Sequence, residues 1–401
     1  MSKIVVIGAG QAGSSLVAKL RVLGFDGQVT LIGEEVDPPY QRPPLSKAYL
    51  LGDMARERLY LRPESYYDEH QIELKLGNSV AGLNPATKTI TVDGETLSYD
   101  QLAFTTGSTP RRLPARIGGD LGGVHVVRTL ADVDAMAPAC KPGKAALVVG
   151  GGYIGLEAAA VLRKLGLSVT LVEMADRILG RVAAPETSDY FRALHQSHGV
   201  DLREGVGLDH LTGDGHVNGA VLTDGRVVAA DLVIVGVGIE PAARLAQDAA
   251  LEVNNGIVVD DQGRTSDPSI WAAGDCAIFP YRGKHMRLES VQNAIDQAEA
   301  VAANMLGANT AYVPMPWFWS DQYDVKLQIA GLNIGYDRVV IRDGGDVRSH
   351  WYYAGDTLLA VDAMNDPRGY MVGKRLIEAG KSPDPAIIAD ATTDLKPLLR
   401  A

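Results

Sequence analysis

Two hydrophobic periods alternate along this chain, and the switches between them outline its architecture. Ile4 to Ile7 form a short strand-like run, and Gly8, Gly10 and Gly13 follow within the next six residues. Ala12, Leu16, Leu20 and Leu23 then recur at helical spacing until Gly24 closes the helix. Val29 to Ile32 is strand-like again. Strand, glycine turn, helix and strand in that order predict a βαβ unit with a right-handed crossover. The pattern returns at mid-chain, with a strand over Ala145 to Val149, a turn over Gly150 to Gly155, a helix over Leu156 to Leu165 and a strand over Val169 to Val172. This repeat duplicates a fold unit and lacks the short fixed period of a solenoid. Leu102 to Thr106, Leu232 to Val235 and Ile270 to Ala273 predict three more buried strands, each running into a glycine.

The texture changes from about Ala311. Trp317, Phe318, Trp319, Tyr323, Tyr336, Trp351, Tyr352 and Tyr353 gather there, and alternation over Arg338 to Arg342 and Leu358 to Val361 predicts an antiparallel sheet. The last, proline-containing stretch reads as loop or a short final helix. The predicted fold class is therefore α/β, with two Rossmann-like dinucleotide-binding domains and a separate C-terminal α+β domain.

Composition narrows the picture in a few respects. At 401 residues the chain can hold two or three domains. Its 44 glycines suit several tight turns and close backbone approaches. A net charge of −11 argues against non-specific nucleic-acid binding. The two cysteines, Cys140 and Cys276, lie far apart and read as reduced thiols of a cytoplasmic protein. No leader segment precedes the strand pattern that starts at Lys3, and no apolar run is long enough for a bilayer, so no membrane association is expected.

The two turns carry the chemistry. Gly8-Ala9-Gly10-Gln11-Ala12-Gly13 follows a strand, opens a helix and is followed about 20 residues on by Glu34, the full context of a dinucleotide-binding turn. Gly8 permits the tight turn, Gly10 lets a pyrophosphate approach the backbone, and Gly13 lets helix and strand pack closely. The helix N-terminus then meets the phosphates with its positive dipole end. Gly150-Gly151-Gly152-Tyr153-Ile154-Gly155 with Glu173 repeats the arrangement. A carboxylate at Glu173 accepts hydrogen bonds from a ribose 2′-hydroxyl and repels a 2′-phosphate, which favours NADH over NADPH, although Arg177 lies close by. Two sites need two nucleotides, and a flavin with a nicotinamide is the natural pair, since flavin takes a hydride and releases single electrons.

With these motifs, and with Pro43-Pro44-Leu45-Ser46-Lys47, Thr105-Thr106-Gly107, Thr265 to Asp275 and Trp317 to Tyr323, the chain resembles the glutathione-reductase-like flavoprotein superfamily. Within it, the sequence is similar to NADH-dependent ferredoxin reductases serving cytochrome P450 and aromatic-ring dioxygenase systems. The resemblance implies glutathione-reductase-type domains: an FAD domain over residues 1–109 and 239–311, an NADH domain over 110–238 and a C-terminal domain over 312–401. Ala12, Glu34, Arg42, Lys47, Val80, Arg128, Asp275 and Val291 match its flavin contacts. Lys47 and Glu157 match a catalytic lysine–glutamate pair beside the flavin N5 and the nicotinamide. Ile154, Glu157, Glu173, Gly238 and Glu289 match positions near NADH, and Trp319 matches an aromatic beside the isoalloxazine.

Disulfide reductases of this superfamily carry a redox cysteine pair near the proline-rich segment, and here Tyr40 to Lys47 contains no thiol. The resemblance then implies electron exit to an external one-electron acceptor, a [2Fe–2S] ferredoxin. No four-cysteine motif is present, so the cluster belongs to that partner. Lys326, Arg368, Lys374 and Arg375 are candidates for a docking patch. A monomer is expected, because dimer contacts accompany the disulfide-reductase branch. Two alternatives stay open: another acceptor (rubredoxin, monodehydroascorbate, a quinone or oxygen), or a redox-sensing flavoprotein like the apoptosis-inducing factors.

Overall fold

The computed structural model describes residues 2–400 and divides into two compact units. The first comprises residues 2–42, 55–109 and 239–316, and the second residues 43–54, 110–238 and 317–400. The short segment 43–54 thus packs with the second unit, where it meets the Tyr153–Lys164 helix.

At the centre of the first unit is a five-stranded sheet in the order Ile270–Ala272, Gln101–Phe104, Lys3–Ile7, Gln28–Gly33 and Ile72–Leu76. All its pairings are parallel, with Ile4 opposite both Val29 and Gln101. Strands covered on both faces have no polar side to alternate with, which is why they read as continuous apolar runs. The Gln11–Val22 and Val291–Met305 helices pack together, with Leu16, Leu20, Ala298 and Val301 in one core beside Val6 and Leu31. A three-stranded antiparallel sheet, Val80–Asn84, Thr89–Val92 and Glu95–Ser98, is also part of this unit.

The second unit repeats the parallel sheet, in the order Asp201–Glu204, Ser168–Glu173, Ala145–Val149, Leu232–Val235 and Val124–His125. It also contains an antiparallel sheet in the order Trp317–Gln322, Val325–Gly331, Thr357–Met364, Arg348–Ala354 and Arg338–Asp343. The Pro367–Glu378 helix covers that sheet, started by Asp366, whose side chain accepts from the Gly369 N–H, and by Pro367 in the first turn. The proline-containing tail forms the short Pro385–Ala389 helix and a last turn at Lys396–Leu399. A buried polar cluster joins this sheet to the Pro185–Ser197 helix: Thr187 donates to Asp362, which also accepts from the Tyr352 hydroxyl. Burial pushes the Asp362 carboxyl up to about 6. Among the described residues, no helix is long and apolar enough to cross a membrane.

Candidate functional site

In the first unit the Gly8–Gly13 turn is packed closely against neighbouring backbone. Gly8 has φ +116°, and a Cβ there would stand 2.3 Å from the Thr105 carbonyl oxygen. A Cβ at Gly13 would stand 2.0 Å from the carbonyl oxygen of Gly8. Gly10 is different, since a Cβ there would meet no atom within 4 Å. The helix that follows has no side-chain cap and no acidic residue in its first turn. Its leading N–H groups therefore have no side-chain acceptor at the positive end of the helix dipole, which suits a pyrophosphate. Ala12 is buried in the first turn, while Glu34 is exposed and its side chain makes no hydrogen bond among the described residues. Arg42 pairs with Glu35 at 2.6 Å and with the Tyr40 hydroxyl at 3.0 Å.

Asp275 lies in the Gly274–Cys276 turn just beyond the Ile270–Ala272 strand, and Ser108 donates to its carboxylate at 3.1 Å. Gly274, at φ +80°, donates its N–H to the buried Gln297 amide at 2.8 Å, which fixes the backbone beside Asp275. Val291 opens the Val291–Met305 helix behind the Ser290 cap, and Val80 opens an edge strand beside Val92. Glu289, expected near NADH, belongs to this first unit, is 41% exposed and pairs with Arg287 at 2.7 Å. These residues and the glycine turn make a set that fits FAD.

The second unit contains the other turn. Gly150 has φ +109°, and a Cβ there would stand 2.3 Å from the Gly236 carbonyl oxygen. A Cβ at Gly155 would stand 2.0 Å from the carbonyl oxygen of Gly150, and one at Gly152 would again meet nothing within 4 Å. The Tyr153–Lys164 helix also starts without a side-chain cap, and Ile154 in its first turn is 46% exposed. Glu173 is held by two backbone donors, Gly151 N at 2.7 Å and Ala175 N at 2.8 Å. Arg177 is turned to Ser188 Oγ at 2.6 Å and to the Gly180 carbonyl at 3.2 Å. Gly238, at φ +103°, accepts from Arg111 N at 3.0 Å. This set fits a dinucleotide with an unphosphorylated ribose.

Lys47, Arg128 and Trp319, matched above to flavin contacts, also belong to the second unit. Arg128 is half-buried beside Thr129, the capping residue of the Leu130–Met136 helix. Trp319 is half-buried with its ring 5.5 Å from Trp317. Lys47 and Glu157, 110 residues apart in sequence, meet at 2.7 Å. Glu157 is only 3% exposed, so removing Lys47 would leave a buried charge without its countercharge, a loss of about 3–5 kcal/mol. Lys47 breaks the local helical turn at φ −131°, ψ −111°, and its ammonium also donates to the Pro43 carbonyl at 3.2 Å. The proline-rich run thus bends so as to present the lysine to Glu157.

Sequence reading missed the hydroxyls that complete this pair. Ser46 donates to Glu157 at 3.1 Å and Ser320 at 2.7 Å. A lone serine carries no pattern. The usable signal was Ser320 and Gln322 at alternate positions of an aromatic strand, which period two turns to one face. Of the four basic residues named for docking, Lys374 pairs with Glu378 and Arg368 lies 3.9 Å from Asp394, whereas Lys326 and Arg375 are exposed. Among the described residues there is no cluster able to hold a metal ion.

Comparison with known proteins agrees with this architecture. Residues 2–298 match the pyridine nucleotide-disulphide oxidoreductase family, and residues 317–399 match the reductase C-terminal domain. Rhodocoxin reductase of Rhodococcus erythropolis is 43% identical over 399 residues, covering 98% of this chain and 93% of that protein. Putidaredoxin reductase of Pseudomonas putida is 39% identical over 410 residues, covering 99% and 97%. Among solved structures, the covalent putidaredoxin reductase–putidaredoxin complex superposes with a TM-score of 0.96 at 38% identity, covering 100% of this chain and 98% of that one. The similarity thus runs along the whole length, and the chain belongs to the pyridine nucleotide-disulphide oxidoreductase family, in its branch with a reductase C-terminal domain.

Proposed function

We propose that the protein is an FAD-containing reductase that takes a hydride from NADH and passes electrons singly to a [2Fe–2S] ferredoxin of a monooxygenase or dioxygenase system. The observation that carries the reading is what stands where a redox dithiol would be needed. The proline-rich segment presents Lys47, ion-paired to buried Glu157, and neither cysteine of the chain can serve instead. Cys276 is fully buried and its thiol is pushed up by that burial, and burial pushes the Cys140 thiol up to about 11. Thiols held in that state are poor nucleophiles. Electrons must therefore go to an outside acceptor, in keeping with the relatives named for rhodocoxin and putidaredoxin.

Bound FAD would supply hydride acceptance and the change from two-electron to one-electron transfer. The residues of the chain bind and orient. Gly8, Gly10, Gly13, Ala12, Glu34, Arg42, Val80, Asp275 and Val291 are the proposed FAD contacts of the first unit, with Lys47, Arg128 and Trp319 from the second. Gly150, Gly152, Ile154, Gly155, Glu173 and Gly238 are the proposed NADH contacts of the second unit, with Glu289 from the first. Glu173, fixed by two N–H donors, keeps a carboxylate where a 2′-phosphate would have to sit, and Arg177 is engaged elsewhere, which supports NADH as donor. Lys47 supplies positive charge at the reacting edge, and Glu157 holds it in place. The domain borders given above, a cytoplasmic location and a monomeric state are part of this proposal.

Anaerobic titration with NADH should bleach a bound flavin spectrum, and cytochrome c reduction should then depend on added ferredoxin. Equal rates without ferredoxin would replace this reading with a general diaphorase.

A further inference from the structure

Glu157 does not end at its ion pair. Its Oε2 receives Lys47 at 2.7 Å and Ser46 at 3.1 Å, and its Oε1 receives Ser320 at 2.7 Å. Ser320 is fully buried, and its Oγ is in turn 3.2 Å from Gln322 Nε2. Gln322 Oε1 lies 2.8 Å from His195 Nε2, and both of these side chains are fully buried. His195 Nδ1 lies 3.4 Å from the Tyr323 hydroxyl, at the turn that ends the Trp317–Gln322 strand.

The donors in this chain can be assigned from one end. An ionised carboxylate only accepts, so Ser320 must donate its single hydroxyl proton to Glu157. Ser320 can then only accept from the Gln322 amide nitrogen, which leaves the Gln322 carbonyl facing His195. That carbonyl needs a donor, so His195 carries its proton on Nε2. Burial pushes the His195 imidazole down to about 4, so at neutral pH it holds one proton and Nδ1 accepts from Tyr323. Every hydrogen bond therefore points toward Glu157, through buried Gln322 and Ser320, and no member can be reversed without stranding a polar group.

We propose that Ser320, Gln322 and His195 are positioning residues for the Lys47–Glu157 pair, forming a one-way hydrogen-bond chain that supplies the buried carboxylate with a donor opposite Lys47 and so fixes where the ammonium is held. The chain ties that pair to the Pro185–Ser197 helix, which contains His195. With Ser320 satisfying Oε1, the carboxylate takes only part of the ammonium's hydrogen-bonding capacity. Without Ser320, Glu157 leans harder on Lys47 and draws it from the negative charge the reduced cofactor gains. This consequence rests on the assignment of Lys47 to the flavin edge, whereas the polarity of the chain does not.

The test has two parts, both on the holoenzyme. Nitrogen-15 NMR of labelled histidines at pH 7, with His195 assigned through His195→Gln, should show the neutral Nε2–H tautomer. The Nδ1–H tautomer or an imidazolium at His195 would overturn the proposal, whatever the flavin potentials of the variants. The second part measures the flavin midpoint potential of Ser320→Ala. The reduced-to-oxidised equilibrium should fall at least threefold, about 14 mV for a two-electron couple. Ser320→Thr, which keeps the hydroxyl, should recover it to within twofold. An unchanged potential in Ser320→Ala, in a background where Lys47→Ala does shift it, would refute the positioning role. If Lys47→Ala itself leaves the potential unmoved, the placing of Lys47 at the flavin fails, and with it the positioning role, while the His195 tautomer still decides the chain's polarity.

Discussion

The two glycine turns of this chain are closed in the same way and held in different ways. In both, the first glycine would collide with a strand-end carbonyl at 2.3 Å, the third with the first glycine's own carbonyl at 2.0 Å, and the second faces open space. The differences lie around that shared core. The Gly8 turn is held by a side-chain hydroxyl, with Thr105 Oγ1 donating to the Gly8 carbonyl at 2.8 Å and the Ile7 carbonyl at 3.2 Å. Its acidic partner Glu34 is left exposed. The Gly150 turn has glycine, Gly236, where its counterpart has Thr105, and is held instead by its acidic residue, through the Glu173–Gly151 hydrogen bond of 2.7 Å. One carboxylate is free to bind ligand and the other is part of the loop. A turn braced from the end of a neighbouring strand suits a cofactor that stays, and one braced by the carboxylate proposed to read the ribose suits a substrate that is checked and released.

The strongest way to break this comparison is at the first glycines. Alanine at Gly8 or Gly150 combines a positive φ with a backbone collision, which costs roughly 2 kcal/mol or more. Gly8→Ala should purify with little flavin, by absorbance. Gly150→Ala should keep its flavin and lose NADH-driven reduction by about 30-fold or more, from that same energy. Loss of flavin from both variants would remove the distinction between a resident and an exchangeable site.

The second glycines sharpen it. Gly10→Ala and Gly152→Ala meet no protein atom, so melting should move by only about 1 °C. Each methyl projects into the proposed ligand space. Flavin retention should drop for Gly10→Ala, and the KM for NADH should rise about tenfold for Gly152→Ala, a difference of about 1.4 kcal/mol. An unaltered KM would mean that the dinucleotide does not lie over Gly152.

Next come the carboxylates. Glu173→Gln sets an amide N–H against one of two backbone donors, costing about 1–3 kcal/mol, so kcat/KM for NADH should fall about 5- to 100-fold while the NADPH rate rises. Glu34→Gln disturbs no protein contact and should weaken FAD binding by only about 2- to 10-fold, measured as cofactor dissociation.

Much of this contrast is legible in the sequence, and some is not. The strands Ala145–Val149 and Leu232–Val235 end where their apolar runs end, because a strand buried on both faces has nothing but its flanking polar residues to mark it. The Tyr153–Lys164 helix begins three residues before the predicted Leu156, since Tyr153, whose ring packs on Phe318, and the half-exposed Ile154 already belong to its first turn. Both glycine motifs were readable because the positive φ of the first glycine and the contact of the third with the first are set within the motif itself. The bracing of each turn was not, since Thr105 and Gly8 are 97 residues apart and only the strand order unites them. Nor was the attachment of residues 43–54 to the second unit: the resemblance implied the Lys47–Glu157 pair, but not the bent backbone at Lys47 that delivers it.

The smallest expected effect is the one that tests the bracing itself. Thr105→Val keeps shape and removes the hydroxyl, so the Gly8 carbonyl loses its donor at a cost of about 1 kcal/mol. For a unit of this size that is about 2–4 °C in melting temperature. The converse change is available in the second unit, because a Cβ at Gly236 would have its nearest neighbours at 3.6 Å, ordinary contact, and no positive φ forbids it. Gly236→Ala should therefore be neutral or stabilising by about 0.4–1 kcal/mol through the unfolded chain. If Thr105→Val melts like the parent protein while Glu173→Gln does not, the hydroxyl is incidental, and only the Gly150 turn carries a side-chain brace.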